Sequence, residues 1–170
     1  MTWPIRHVAI SPKGTKVSIG PLPKNQRVEL FELFSRIVAD GEGFPHSAPL
    51  TWATFEDTWV KPVTTVVAAT VDGALAGAYY LRPNFPGRGA HIANAGYFVA
   101  FESRGFGVGR LLVEDSIGRA PTLGFDAVQF NFVFASNPAR RLYEELGWHE
   151  IGRIPDGIPG DDCIIYWRAV

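Results

Sequence analysis

The residues best suited to chemistry surround a glycine-rich turn in the middle of the chain. The run Arg104-Gly-Phe-Gly-Val-Gly-Arg110 lies between an apolar segment that predicts a strand and an amphipathic segment that predicts a helix. Glycine lets a ligand approach the backbone closely. The free N–H groups at the start of a helix, together with the helix dipole, favour an anion such as phosphate. Arg104 and Arg110 flank the turn and offer charge-assisted hydrogen bonds.

Two widespread phosphate-binding motifs do not fit this turn. A nucleotide P-loop ends in Gly-Lys-Ser/Thr, whereas here Gly109 is followed by Arg110 and Leu111. A dinucleotide fingerprint requires a third glycine where this chain has Arg110, and the next predicted strand lacks the expected acidic residue. The pattern Arg/Gln-x-x-Gly-x-Gly/Ala fits at every position from Arg104 to Gly109. A purely structural turn is the alternative that this segment alone leaves open.

A second motif lies downstream and reads Asn137-Pro-Ala-Arg-Arg-Leu-Tyr143-Glu-Glu-Leu-Gly147-Trp148. With the glycine-rich turn, it resembles the GNAT superfamily of acyl-CoA-dependent N-acyltransferases, whose segment is Asn-x-x-Ala-x-x-Leu-Tyr-x-x-x-Gly-Phe. Arg140 stands where that pattern has a small residue, which is a minor departure. The resemblance extends over nearly the whole chain. It implies a GNAT fold, acetyl-CoA as co-substrate and N-acetyltransferase activity.

The resemblance also implies a role for individual residues. An amine attacks the thioester directly, and a strand N–H near Phe98 stabilises the oxyanion. Tyr143 stands at the general-acid position and would protonate the departing thiolate. An ordinary core tyrosine between Leu142 and Leu146 is the alternative. The implied cofactor-binding residues are Phe98, Val99, Phe101, Arg104, Gly105, Phe106, Gly107, Val108, Gly109, Arg110, Asn137 and Arg140.

Two asparagines, Asn94 and Asn131, are predicted on buried faces of strands. A buried amide must be paired, so they either bond each other and nearby backbone or hold the acceptor and the acetyl group. With Pro83-Asn-Phe-Pro-Gly-Arg88 and His91, they resemble the proline-analogue N-acetyltransferases, which acetylate azetidine-2-carboxylate. In that group the matching asparagines serve substrate binding and catalysis. Tyr97 falls where that group has Phe, which implies a more polar pocket.

The loop at residues 41–50 follows the first long predicted helix and contains Phe44 and His46. In GNAT enzymes this loop lies over the acceptor site, so both residues are implied substrate-wall residues. The alternative is a loop whose Phe44 side chain merely packs on the core. No general base is identified. The candidate catalytic residues are Asn94, Asn131 and Tyr143, and the candidate substrate-binding residues are Phe44, His46, Asn94, Tyr97 and Asn131.

Composition narrows the class of protein. The 170 residues include 46% hydrophobic and 19% charged residues, which is ordinary for one globular domain. The net charge of −1 gives no basic field for nucleic acid or an anionic membrane. Cys163 is the only cysteine, which excludes an intrachain disulfide and suits a reducing cytoplasm. We expect a cytoplasmic enzyme with a small-molecule partner and no metal; a homodimer is compatible with these observations.

The hydrophobic pattern predicts an α/β (α+β) fold with a mixed, mainly antiparallel sheet flanked by helices. A helix crossover between the strands at 91–100 and 127–134 predicts one splayed parallel pair. Residues 1–15 are predicted as an N-terminal arm and 16–170 as a single GNAT domain. The other predicted strands cover 6–10, 16–19, 64–71, 74–81, 148–154 and 163–168, the predicted helices cover 24–39, 51–61, 107–120 and 140–146, and 155–162 is predicted as a loop.

The strand at 127–134 is predicted to alternate strictly, with Val128, Phe130, Phe132 and Phe134 on one face.

Two rival functions stay open from the sequence. One is acylation of a protein N-terminus or a lysine, which an open surface groove would favour over an enclosed pocket. The other is a catalytically silent CoA-binding module, because no single residue establishes turnover.

Overall fold

The computed structural model describes residues 6–170, and within them eight strands form one sheet in the order β1-β2-β3-β4-β5-β6-β8-β7. All neighbouring strands are antiparallel except β5 and β6, which run parallel. The predicted mixed sheet with one parallel pair is therefore confirmed. The strands are β1 His7–Ile10, β2 Lys16–Pro21, β3 Thr65–Val71, β4 Ala74–Pro83, β5 Ile92–Val99, β6 Ala127–Phe134, β7 His149–Ile158 and β8 Asp161–Ala169.

Helices cover both faces of the sheet. The α-helices are α1 Arg27–Ala39, α2 Trp52–Trp59, α3 Val108–Arg119 and α4 Arg140–Glu145. Adjacent residues of β4 point to opposite faces, so Tyr80 packs with the core of α1 and α2, whereas Tyr79 packs with that of α3. In residues 6–170 no helix combines the length and the apolar character needed to cross a bilayer.

The parallel pair opens after three residue pairs. Ile92, Ala93 and Asn94 of β5 pair with Ala127, Val128 and Gln129 of β6. Both strands then continue, β5 to Val99 and β6 to Phe134, without further pairing between them. The predicted splay is thus present, and it leaves a wedge-shaped opening in the sheet.

A buried charge cluster ties α3 to the sheet. Asp115 is 1% exposed, and its carboxylate accepts a hydrogen bond from the Tyr79 hydroxyl and pairs with Arg119 at 3.0 Å. His7 Nδ1 of β1 lies 3.6 Å from the Asp115 Oδ1 atom. Because β1 pairs with β2 and β2 with β3, the N-terminal hairpin is part of the sheet. The first five residues of the predicted arm lie outside the described residues.

The predicted loop at 155–162 is wrong, because β7 continues to Ile158 and β8 begins at Asp161. The pairing of β7 with β8 shifts register between Ile154 and Ile158. Such an irregularity tolerates proline, which Pro155 supplies. The Asp156 N–H donates to Asp162 Oδ1 at 2.9 Å, so a side chain replaces a missing ladder bond.

The predicted strict alternation of β6 fails beyond Phe130. The pairing with β8 shifts register between Phe130 and Val133. As a result Val133 is buried at 7% exposure, while Phe132 is only half-buried. A bulge of this kind inserts a residue and re-aims the side chains after it. Asn131 lies in the shifted segment and is exposed, so its predicted place on a buried face is wrong.

Candidate active site

Two adjoining cavities occupy the opening between β5 and β6. The larger one, hereafter the groove, has a volume of about 480 Å³ and extends to the glycine-rich turn. The smaller one, hereafter the inner cavity, has a volume of about 210 Å³ and lies under the 41–50 loop. The residues that line both cavities are Gly43, Phe44, Tyr97, Asn137 and Tyr143. A molecule in the groove and a second one in the inner cavity would therefore meet beside these residues.

The glycine-rich turn ends in an uncapped helix. Leu111 N–H makes the first α3 bond to the Gly107 carbonyl, and no side chain caps the helix. The N–H groups of Val108, Gly109 and Arg110 consequently have no intrahelical partner and can bind an anion. Gly109 lines the groove, whereas the Val108 side chain belongs to the core.

Glycine is required in this turn for two separate reasons. Gly105 and Gly107 have φ of +78° and +83°, a conformation that costs other residues about 1–2 kcal/mol. At Gly107 an added Cβ would also lie 2.9 Å from Cδ of Pro12 in the N-terminal hairpin. At Gly109 an added Cβ would meet only Val99, at an ordinary 3.5 Å. The packing of the protein therefore does not by itself require the third glycine.

Only one of the predicted cationic residues reaches the groove. The Arg104 guanidinium lies 4.1 Å from the Phe101 ring centroid, pairs with Glu42 at 2.7 Å and lines the groove. Arg110 instead pairs with Glu145 of α4. Arg140, which donates to the Tyr166 hydroxyl, and Phe106, which is 50% exposed, also lie outside the groove lining. The other predicted cofactor residues outside this lining are Phe101, Gly105, Gly107 and Val108.

Strand alternation decides which backbone groups face the opening. The Ile92 carbonyl accepts from Asn84 next to β4, and the Ala100 N–H donates to Ala76 of β4. The register between β4 and β5 has no shift, so the even-numbered residues of β5 direct their backbone groups to β4. The N–H of Phe98 therefore points away from the groove. The N–H groups of Tyr97 and Val99, one residue to either side, face it.

Tyr143 stands where the groove and the inner cavity meet. Its side chain is 8% exposed and packs with the rings of Phe130 and Trp148, at centroid distances of 4.8 and 6.2 Å. No side chain or backbone group within residues 6–170 hydrogen-bonds its hydroxyl. Burial raises the pKa of Tyr143 above its ordinary value, so the hydroxyl keeps its proton. The residue is both a core tyrosine and an available proton donor.

Asn94 lies at the vertex where β5 and β6 separate. Its Nδ2 donates to the Gln129 carbonyl at 3.2 Å, and its Oδ1 accepts from the Tyr80 hydroxyl and Arg82 Nε, each at 3.3 Å. Asn94 is 5% exposed, and its amide is satisfied by these partners rather than by Asn131. An added Cβ at Gly96 would lie 2.7 Å from the Tyr80 ring, so this glycine lets Tyr80 reach across β5.

Asn131 and Tyr97 both line the inner cavity, but their polar groups bond to other side chains of the protein. Asn131 lines the inner cavity from an exposed position, where it exchanges hydrogen bonds with Asn84 at 2.6 and 3.2 Å. The Tyr97 hydroxyl is 2.7 Å from Ser116 Oγ of α3, so its polar end belongs to the core. Asn137 lines both cavities, and its Oδ1 accepts from the Ala139 N–H at 2.9 Å.

The 41–50 loop closes the inner cavity with Phe44 and His46. Phe44 packs edge-on against Phe34 of α1 at 4.8 Å, which fixes the loop on the core. His46 Nε2 is 3.0 Å from Thr58 Oγ1, and the Thr58 hydroxyl donates to the Thr54 carbonyl. Because that hydroxyl proton is used, Nε2 must carry the hydrogen, and Nδ1 is left as an acceptor. Nδ1 is buried and has no hydrogen-bond partner.

The ionisation of His46 follows from its surroundings. Burial lowers its pKa below the usual value, and the positive charge of Arg82 lowers it further. His46 is therefore neutral at pH 7. Sequence reasoning placed His46 at the site but missed Arg82 and Tyr80. The available signal was a lone charged residue at the end of the otherwise uncharged β4.

The model of the acetyltransferase (GNAT) family matches residues 28–148, a segment that includes the glycine-rich turn and the Asn137–Trp148 motif. The chain belongs to the GNAT family. A GCN5-related N-acetyltransferase from Kribbella flavida is 31% identical, with a TM-score of 0.83 over 91% of this chain and 98% of that one. The predicted family and fold are thus confirmed.

Two further proteins extend the comparison. The N-acetyltransferase aca1 of Schizosaccharomyces pombe is 40% identical over 99 residues, which is 56% of this chain and 47% of that protein. The chain thus spans about half the length of this relative. An acetyltransferase from Salmonella typhimurium, solved with its cofactor acetyl-CoA, shares the fold at 17% identity, with a TM-score of 0.78 over 90% of this chain and 93% of that one.

Proposed function

We propose that this GNAT chain is an acetyl-CoA-dependent N-acetyltransferase that acts on a small amine or amino acid. The observation that carries the proposal is the meeting of two cavities at Tyr143. One cavity extends to a helix N-terminus that suits phosphates, and the other is lined by polar groups near the opening of the sheet. This arrangement suits a direct transfer between two molecules bound side by side.

The groove has the features that acetyl-CoA requires. The N–H groups at the start of α3, with Arg104 beside them, would hold the pyrophosphate. The unpaired backbone of Tyr97 and Val99 would hydrogen-bond the pantetheine arm, and one of these N–H groups would stabilise the oxyanion. The bound co-substrate supplies an acetyl group activated as a thioester.

We assign the two proton transfers to the side chains of His46 and Tyr143. His46 Nδ1, a neutral acceptor without a hydrogen-bond partner within residues 6–170, would accept a proton from the acceptor ammonium once the ring turns this buried atom toward the inner cavity. The neutral amine then forms a C–N bond to the carbonyl carbon, its nitrogen releases a second proton to solvent, and the C–S bond breaks to leave the amide and the thiolate. Tyr143 would donate its proton to the departing thiolate, and solvent would restore it. Asn94 would orient the acceptor through its fixed amide.

The acceptor is proposed to be a small molecule rather than a protein. The inner cavity, at about 210 Å³, is smaller than the roughly 300–1,000 Å³ of pockets for drug-sized ligands. The Phe44 and His46 loop borders this cavity together with the sheet. Azetidine-2-carboxylate and proline analogues are the acceptors that the subgroup resemblance favours.

The test is release of CoA thiol from acetyl-CoA with a panel of amines. The panel includes azetidine-2-carboxylate, proline, common amino acids, polyamines, aminoglycosides and short peptides. We expect turnover with small amines or amino acids and none with peptides. Turnover confined to peptides would instead support a protein acetyltransferase. Tight acetyl-CoA binding in calorimetry with no turnover on any acceptor would support a silent binding module.

A further inference from the structure

One charged side chain in the inner cavity has no counter-charge. Arg82 lies at the end of β4, is half-buried and lines the inner cavity. Within residues 6–170 no carboxylate lies within salt-bridge distance of its guanidinium. Arg104 and Arg110, by contrast, are both paired with glutamates. A half-buried cation without a counter-ion is unfavourable unless a ligand supplies the negative charge.

The guanidinium is held in place by contacts that leave its outer edge available. Nε donates to Asn94 Oδ1 at 3.3 Å, and the guanidinium carbon lies 5.1 Å from the Tyr80 ring centroid. The two terminal nitrogens, Nη1 and Nη2, make no hydrogen bond to any group of residues 6–170 and are not buried without a partner. A rigid planar fork of this kind matches the two oxygens of a carboxylate.

The rest of the inner cavity favours an anion as well. Its described lining includes no Asp or Glu, and its other members are apolar residues, neutral amides, hydroxyls and His46. The field of Arg82 is felt at His46, on the loop that faces β4, where it lowers the pKa of the imidazole. A cationic acceptor without its own negative charge would meet an unfavourable potential in this cavity.

We propose that Arg82 binds a carboxylate of the acceptor, so that the acceptor is an amino or imino acid rather than a simple amine. This inference rests on the proposed acetyltransferase function and specifies its acceptor. The carboxylate lies on the Arg82 side of the inner cavity, and the amine is directed toward His46 and Tyr143. When the carboxylate neutralises Arg82, His46 loses a repulsive neighbour and becomes a better proton acceptor as the substrate arrives.

The test compares acids with amines of the same skeleton. Azetidine-2-carboxylate is compared with azetidine, L-proline with pyrrolidine, and L-proline with L-prolinamide, by CoA-thiol release. In the unmodified chain we expect kcat/KM to be about 10- to 150-fold higher for the acids, the range for a hydrogen bond to a charged group. In Arg82→Gln we expect the ratio of kcat/KM between acid and amine to fall to within threefold, mostly because KM for the acid rises. The affinity for acetyl-CoA should be unchanged.

Two variants control for indirect effects. Arg82→Lys keeps the positive charge but lacks the planar guanidinium, so it should retain part of the preference for acids over amines. Arg88→Gln, on an exposed neighbouring residue outside the lining of the inner cavity, should retain all of it. Equal rates for acid and uncharged amine in the unmodified chain would overturn the inference. An equal fall in kcat/KM for the acid and for the uncharged amine in Arg82→Gln would overturn it as well. So would a higher kcat/KM for aminomethylphosphonate than for glycine.

Failure of the proposed function would give a different result. If no amine turns over, the binding of azetidine-2-carboxylate to the CoA-loaded chain is measured by calorimetry. Binding that Arg82→Gln abolishes and Arg88→Gln preserves would support the carboxylate site in a protein that lacks transferase activity. The absence of binding by this acid and by L-proline would overturn the carboxylate site itself.

Discussion

The substitution Tyr143→Phe removes one hydroxyl from the junction of the two cavities and leaves the aromatic ring. The ring packs with Phe130, Trp148 and Tyr166, and phenylalanine can keep all of these contacts. The hydroxyl has no hydrogen-bond partner within residues 6–170, so its loss breaks no bond in the folded protein. We therefore expect the free energy of unfolding to change by less than about 0.5 kcal/mol.

The effect on catalysis should be much larger. General acid catalysis contributes about 10²- to 10⁴-fold. A thiolate is a fairly good leaving group, which places the expected loss near the lower end, at about 100-fold in kcat. That loss corresponds to about 2.7 kcal/mol of transition-state stabilisation. The thiolate departs into an apolar groove, where poor solvation raises its own proton affinity and makes a buried tyrosine an adequate donor.

The assay measures kcat by CoA-thiol release with saturating acceptor, beside calorimetry with acetyl-CoA and a thermal melt. Tyr166→Phe is the matched control, because the hydroxyl of this adjacent tyrosine binds Glu144 instead of lining a cavity. We expect Tyr143→Phe to lose kcat and Tyr166→Phe to retain it. A kcat within threefold of the unmodified chain for Tyr143→Phe would refute the proton-donor role. A parallel loss of folding would refute the assumption of intact packing.

Three further changes test other parts of the structure. Gly107→Ala should weaken acetyl-CoA binding at least tenfold. The new side chain would have to adopt a left-handed φ, and its Cβ would lie 2.9 Å from Pro12, so the turn would have to move. An unchanged affinity in calorimetry would contradict this. Asp115→Asn should lower the free energy of unfolding by about 3 kcal/mol, since it removes the carboxylate that pairs with the buried Arg119. A denaturant midpoint equal to that of the unmodified chain would argue against this. His46 acts as a base only when neutral, and its pKa is lowered by burial and by Arg82, so kcat/KM should fall toward low pH with a midpoint below 6.5. His46→Gln should remove this fall at low pH, and an unchanged profile would exclude His46 as the base.

The sequence predicted the fold because its strongest patterns are local. The predicted strands at 64–71 and 74–81 leave only Asp72-Gly73 between them, a dipeptide typical of a hairpin turn, and β3 and β4 do pair as a hairpin. The predicted helix crossover from β5 to β6 is confirmed as well. The segments predicted wrongly are bulged strands. In β6 the register shift moves Asn131 away from the face that simple alternation predicts. In β7 the shifted register keeps Pro155 within a strand, where the sequence predicted a loop.

The positions of the candidate site residues were predictable where a residue belongs to a local sequence motif. Gly107 and Tyr143 are examples, because their surroundings follow from the strand and helix on either side. Arg82 was not predictable in the same way. Its significance depends on the absence of a nearby carboxylate among residues 6–170, which is a property of the tertiary arrangement. The tautomer of His46 likewise depends on Thr58, twelve residues away in α2.

The short β5–β6 pairing has a consequence for the cooperativity of folding. Three residue pairs and the adjoining bond from the Asp126 N–H to the His91 carbonyl join the half of the sheet built from β1 to β5 with the half built from β6 to β8. This joint is the part of the sheet with the least backbone support, so local opening should begin there. A ligand that contacts both Val99 and Asn137 would bridge the two halves, and hydrogen exchange at the joint would then slow in proportion to ligand occupancy.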